Sequence, residues 1–186
     1  MANYGANRRV DDTINSLKGK KPVKVLFVCL GNICRSPAAE GVLRSIVDAN
    51  GDNESWIIDS AGTYGGHAGD LPDRRMRVHA QRRGYDLTHR SRKFRQSDFD
   101  DFDLIIPMDA SNESDLHELA PTVEAEAKIV PMMKFVTLAT RYDYVPDPYY
   151  EGSEGFELVL DLLEDGCANL YHIIHLAAAT DGKGRR

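Results

Sequence analysis

The residues most able to do chemistry lie together: Cys29-Leu30-Gly31-Asn32-Ile33-Cys34-Arg35, followed by Ser36-Pro37. Ser36 and Pro37 read as a helix cap and first helical residue, so the loop between thiol and arginine closes onto a helix N-terminus. Backbone N–H groups from Leu30 to Ser36 would then turn inward and, with the helix dipole, favour a dianionic oxyanion. Gly31 lets the backbone bend where a side chain would clash. The planar fork of Arg35 can hold two phosphate oxygens, and the same positive surroundings favour the thiolate of Cys29. This is the layout of a sulfur nucleophile facing a bound phosphate.

A glycine loop between strand and helix also holds nucleotide phosphates, but that fingerprint needs a lysine and a second glycine, and neither is present. A buried, inert thiol at a strand end is the plainer reading of Cys29, and it leaves Arg35 and the cap unexplained.

The flanking elements fit the task. Val23, Val25, Leu26, Phe27 and Val28 form the β-branched and aromatic run of a strand buried on both faces, ending at Cys29. Ala38 to Asn50 carries a helical apolar period. The alternation repeats: strand Trp56–Ile58, helix Pro72–Arg83, strand Leu104–Met108, helix Ser111–Leu119, a fourth strand at Ala127–Val130, and a helix Gly155–Ala179 interrupted near Gly166. The expected fold is α/β: an open, doubly wound, four-stranded parallel sheet with helices on both faces, flavodoxin-like or Rossmann-like. Ligands bind such sheets at the carboxyl ends of strands, where Cys29 lies.

The chain has 186 residues, 42% of them hydrophobic, enough for one substantial core. Residues 1–21 read as a flexible, polar N-terminal tail with at most a frayed helix, 22–180 as the single domain and 181–186 as a C-terminal tail. A net charge of −6 gives no general attraction to nucleic acid or anionic membrane. No apolar run approaches the roughly 18 residues that cross a bilayer, so a soluble, cytoplasmic protein is expected. Three cysteines make a poor disulfide framework and leave thiols free for chemistry.

Val25 to Pro37, VLFVCLGNICRSP, resembles the active-site signature of the low-molecular-weight protein tyrosine phosphatases. Ile58 to Thr63, His89 to Arg92, Met108 to Asn112 and the DPYY run Asp147-Pro148-Tyr149-Tyr150 resemble further stretches of that family, in its order, from about Val23 to the C-terminal helix. The resemblance implies hydrolysis of phosphotyrosine, in proteins or small aryl phosphates, through a phosphocysteine on Cys29. It implies that Arg35 and the loop hold the phosphate and that Asp147, by itself only a turn residue before proline, is the general acid. It also implies that Ser36 bonds the Cys29 sulfur, that Asn32, Ser60 and His89 pin the loop, and that Cys34 pairs with Cys29 in a protective, reversible disulfide. Tyr149 and Tyr150 would form an aromatic wall for the substrate ring. No metal or other cofactor is called for, and a monomer is expected.

One feature departs from the family. Many members place Trp or Tyr just before a histidine on the opposite wall, whereas Gly66 precedes His67 here and Tyr64 stands two residues back. A half-missing ring clamp is the expectation. His172 and His175 read as surface or packing histidines, and Cys167 as core. Nine basic residues against Asp86 between 74 and 95 read as a solvated face in preference to a steering patch. An arsenate reductase on the same fold would need two further cysteines after the second strand, and residues 64–107 contain none. A phosphate-binding module without catalysis fits poorly with Cys29, Arg35 and Asp147 all present.

Overall fold

The computed structural model describes residues 3–150 and 152–180. Its helices are α1 (Asn3–Leu17), α2 (Arg35–Ala49), α3 (Arg74–Arg82), α4 (Asp98–Asp101), α5 (Ala110–Leu119), α6 (Val123–Ala127) and α7 (Ser153–Thr180). Strands β1 (Val23–Cys29), β2 (Trp56–Gly62) and β3 (Leu104–Pro107) form a parallel sheet in the order β2-β1-β3.

Alternation along β1 puts Val25 and Phe27 on one face and Leu26 and Val28 on the other, and all four are fully buried. The first face packs on Val42 and Leu43 of α2 and on Val159, Leu160 and Leu163 of α7. The second packs on Phe94, Phe99, Phe102, Ile105 and Leu116. Helices therefore cover both faces. The chain leaves β1 toward β2 on one side and returns to β3 on the other, so the carboxyl end of β1 is the switch point of the sheet. Cys29 is there, in register with Gly62 at the end of β2.

Several expectations need correction. The sheet has three strands: Ala127–Val130 contributes only an isolated bridge between Ile105 and Ile129. The room for a longer strand is taken at both ends: Thr122 Oγ1 accepts from the Ala125 N–H at 3.1 Å and caps α6, which runs through Ala127, and Pro131, with no N–H to donate, follows Val130.

The segment read as a tail forms α1, with Ile14 and Leu17 only 8% and 6% exposed. Val10, Ile14 and Leu17 make a stripe too narrow to hold an isolated helix but wide enough to bury against the domain. α7 runs without a break through Gly166, because a Cβ there would lie 2.4 Å from Met132 Cε; the glycine serves close packing instead of ending the helix. The C-terminal tail expected at 181–186 lies outside the described residues.

Candidate active site

The loop leaves β1 at Cys29 and enters α2 at Arg35. Ser36 is not its cap: Cys34 occupies the N-cap position and no side chain caps the helix. The first-turn amides are thus left without a side-chain acceptor, as an anion site requires. Ser36 is committed elsewhere. Its Oγ shares a hydrogen bond with Cys29 Sγ at 3.0 Å and accepts from Asn32 Nδ2 at 2.8 Å.

The strained residue of the loop is Asn32, at φ +54°, a region that asparagine tolerates better than most. Gly31 has a different reason to be small, since a Cβ would sit 3.2 Å from His67 Cδ2. Asn32 is 1% exposed and its amide is fully used. Nδ2 also donates to Ser60 Oγ at 3.0 Å, while Oδ1 meets His89 Nε2 at 2.9 Å and accepts from the Arg92 N–H at 3.0 Å. Ser60 Oγ donates to Glu40 Oε2 at 2.6 Å, and His89 Nδ1 faces Glu40 at 3.2 Å and Asp59 at 3.5 Å. Ser91 Oγ donates to the Gly31 carbonyl at 3.0 Å, and the Asp73 N–H to that of Ile33 at 2.7 Å. A buried polar network with every member satisfied keeps the loop in one shape before any ligand arrives.

Arg35 is 2% exposed and bridges two carboxylates, Asp109 at 2.5 Å and Asp147 at 3.4 Å, while Nη1 also donates to the Val145 carbonyl at 3.1 Å. Burial alone would weaken its basicity; the facing Cys29, the Asp109 bond and the Asp147 charge more than offset this and hold its pKa above the usual arginine value. Asp147 Oδ1 accepts from the Tyr149 N–H at 3.1 Å, which keeps the carboxyl turned over the loop. Burial first, then the charges of Asp73, Cys29 and Asp147, push the Cys34 thiol well up, so Cys34 stays protonated at neutral pH.

Cys29, Leu30, Gly31, Ile33, Cys34 and Arg35 form the floor of a cleft of about 190 Å³, with Asp147, Tyr149 and Tyr150 on one side and Tyr64 and His67 on the other. The side that carries Gly66 is not without an aromatic: Tyr64 lines the cleft there. A Cβ at Gly66 would lie 2.2 to 2.3 Å from the Tyr64 ring, so that ring occupies the space a side chain at 66 would fill. Tyr64 also meets His67 edge-on at 6.4 Å. The ring of Tyr64 thus folds back over Gly66, two positions downstream.

Asp109, within the family-like stretch Met108 to Asn112, is the main anchor of Arg35, a role its sequence position does not signal; Glu40 and Ser91 likewise carry no local signal. Glu40, Asp59 and His89 place ligand-type atoms within 4.8 Å of one another. His89 Nδ1 faces both carboxylates, Glu40 also accepts from Ser60 and Asp59 from Arg92, so the group reads as an ion-pair cluster. Three of the nine basic residues of the run 74–95 are paired: Arg75 with Asp73, Arg83 with Glu157, Asp161 and Glu164, and Arg92 with Asp59 and Asp98. His175 pairs with Asp52 at 3.3 Å, and Cys167 is fully buried in the core.

A thiol at the switch point of a parallel sheet, facing an uncapped helix N-terminus and a buried arginine with a carboxyl above, defines the cysteine-dependent phosphatase class. Residues 24–180 match the family described as low molecular weight phosphotyrosine protein phosphatase, and the chain belongs to that family. The human low molecular weight phosphotyrosine protein phosphatase is 41% identical over 141 residues, covering 73% of this chain and 85% of the relative. A protein tyrosine phosphatase structure from Entamoeba histolytica, with Hepes in its active site, superposes with a TM-score of 0.77 at 43% identity, covering 87% of this chain and 99% of that one. An arginine phosphatase from Drosophila superposes at 0.74 with 29% identity, covering 88% and 100%. The protein is a hydrolase of the protein-tyrosine-phosphatase type.

Proposed function

We propose that Cys29 attacks the phosphorus of a phosphotyrosine side chain, forming a phosphocysteine and releasing the phenol, and that water then cleaves the S–P bond to return phosphate and free enzyme. The observation that carries this reading is the convergence of Cys29, Arg35 and Asp147 on one cleft whose walls are aromatic. Arg35 and the loop amides hold the equatorial oxygens, and Ser36 donates to the sulfur, easing its departure in the second step. Asp147 gives its proton to the leaving phenolate, then takes one from the attacking water.

Tyr64 and Tyr149 would hold the substrate ring between them. A phosphoserine is too short to bring its phosphorus to the floor, so phosphotyrosine-containing proteins and small aryl phosphates are the substrates of choice. Cys34, in the same loop, captures a Cys29 sulfenic acid with loss of water, giving a reversible disulfide; because burial keeps its thiol protonated, this capture is slow compared with the chemistry of Cys29. A nucleophile that works only when reduced suits the cytoplasm. The test is kcat/KM on matched peptides carrying phosphotyrosine, phosphoserine or phosphoarginine, with Cys29→Ser as the blank. Preference for phosphotyrosine and a silent Cys29→Ser are expected; turnover by Cys29→Ser would remove the mechanism.

A further inference from the structure

Arg75 has no part in the chemistry above, yet it ties together the pieces that perform it. It is the second residue of α3, and its guanidinium forms a planar pair with Asp73, Nε to Oδ1 at 3.1 Å and Nη2 to Oδ2 at 2.9 Å. Asp73 is fixed in turn: it caps α3 through the Arg75 N–H at 2.8 Å, and its own N–H holds the Ile33 carbonyl of the phosphate loop at 2.7 Å. So oriented, the guanidinium lies 5.3 Å from the centre of the Tyr149 ring and 5.0 Å from that of Phe156. Phe156 is 1% exposed within α7 and gives the arrangement a rigid backing.

The need for such a tie appears when the cleft is filled. In the free protein Asp147 is held partly by its 3.4 Å pairing with Arg35. A phosphate on the loop claims the outward N–H groups of Arg35, so this pairing is lost in the state where Asp147 must deliver its proton. What remains is the short turn Pro148–Tyr150. Tyr150 is 89% exposed, with its ring edge-on to that of Tyr149 at 4.9 Å, whereas the Tyr149 N–H holds the Asp147 carboxylate and the Tyr149 ring sits against Arg75.

We infer that Arg75 is a positioning residue for the acid step: fixed by Asp73, it seats the Tyr149 ring and so keeps Asp147 above the leaving oxygen once phosphate has taken Arg35. This rests on the proposed role of Asp147. The experiment is kcat/KM for a series of aryl phosphates running from poor to good leaving phenols, in the parent enzyme, Arg75→Met, Tyr149→Leu, the double variant and Asp147→Asn. Arg75→Met is expected to lose about two- to fivefold on the poorest leaving groups, the worth of an exposed cation–aromatic contact, and nothing resolvable on the best. The double variant should lose no more than the worse single one. A loss in Arg75→Met that is absent, uniform across the series, or additive with Tyr149→Leu overturns the inference while a steep series in Asp147→Asn leaves the acid assignment standing. A flat series in Asp147→Asn overturns both.

Discussion

Cys29 and Cys34 share one loop, yet only one of them is set up to react. Both are 3% exposed, but Cys29 has the Ser36 hydroxyl at 3.0 Å and the charge of Arg35 nearby, whereas Cys34 has the charge of Asp73 near it and its thiol is pushed up. The same contrast of neighbours explains Tyr64 and Gly66. Since the Tyr64 ring fills the space beside Gly66, Gly66→Trp must evict it and should bring no gain in kcat/KM for aryl phosphates while Tyr64 is present. Tyr64→Ala should cost about two- to tenfold on aryl substrates, the value of one stacked ring, and Gly66→Trp added to Tyr64→Ala should restore it. A gain from Gly66→Trp alone, or a silent Tyr64→Ala, would show that the ring at 64 is not the wall. The chain advertised an aromatic and a glycine two residues apart; that one folds over the other follows from loop geometry, which spacing does not encode.

At the scale of elements, the loop is held from outside by strand ends and helix starts. Gly62 ends β2 so close to the loop that a Cβ would stand 2.6 Å from the Leu30 carbonyl oxygen and 3.0 Å from the Asn32 nitrogen, both backbone atoms that cannot swing aside. Gly62→Ala should therefore displace the phosphate loop and lower kcat/KM roughly tenfold or more, with a smaller change in urea midpoint. Normal activity would mean that the loop tolerates the shift.

α7 is tied down through two phenols, Tyr85 to Glu164 at 2.9 Å and Tyr171 to Asp52. Burial first, then these carboxylates, raise both pKa values to about 12. A raised folded-state pKa means stability present below the unfolded value of about 10 and lost as pH climbs through about 12. Unfolding free energy should fall across that window, and Tyr85→Phe with Tyr171→Phe should flatten the fall; an unchanged slope would deny the phenols this role. Strand β1 and helix α2 were readable because their apolar patterns match their burial. The fourth strand is shortened to one parallel bridge at Ile129, because α6 and Pro131 confine it from both ends in a way its β-prone run does not reveal, and the role of Asp109 is hidden because its partner Arg35 lies 74 positions away.

For the molecule as a whole, a net charge of −6 coexists with an anion site because the positive groups are backbone amides and one buried arginine. The family match begins at residue 24, and α1 precedes it. That helix is nonetheless part of the core, which polar composition concealed: Leu17→Ala should cost about 2–3 kcal/mol in chemical denaturation, and a neutral result would return α1 to the status of a tail.

The central claim is that phosphate passes through Cys29. It is tested most directly by mixing the enzyme with excess p-nitrophenyl phosphate, quenching in acid within the first turnover, and locating the phosphoryl group by mass spectrometry. The expected result is a burst of nitrophenol stoichiometric with enzyme and a phosphoryl group on the peptide containing Cys29. Hydrolysis that proceeds with no burst and no phosphoenzyme, or with the phosphoryl group on another residue, would contradict it.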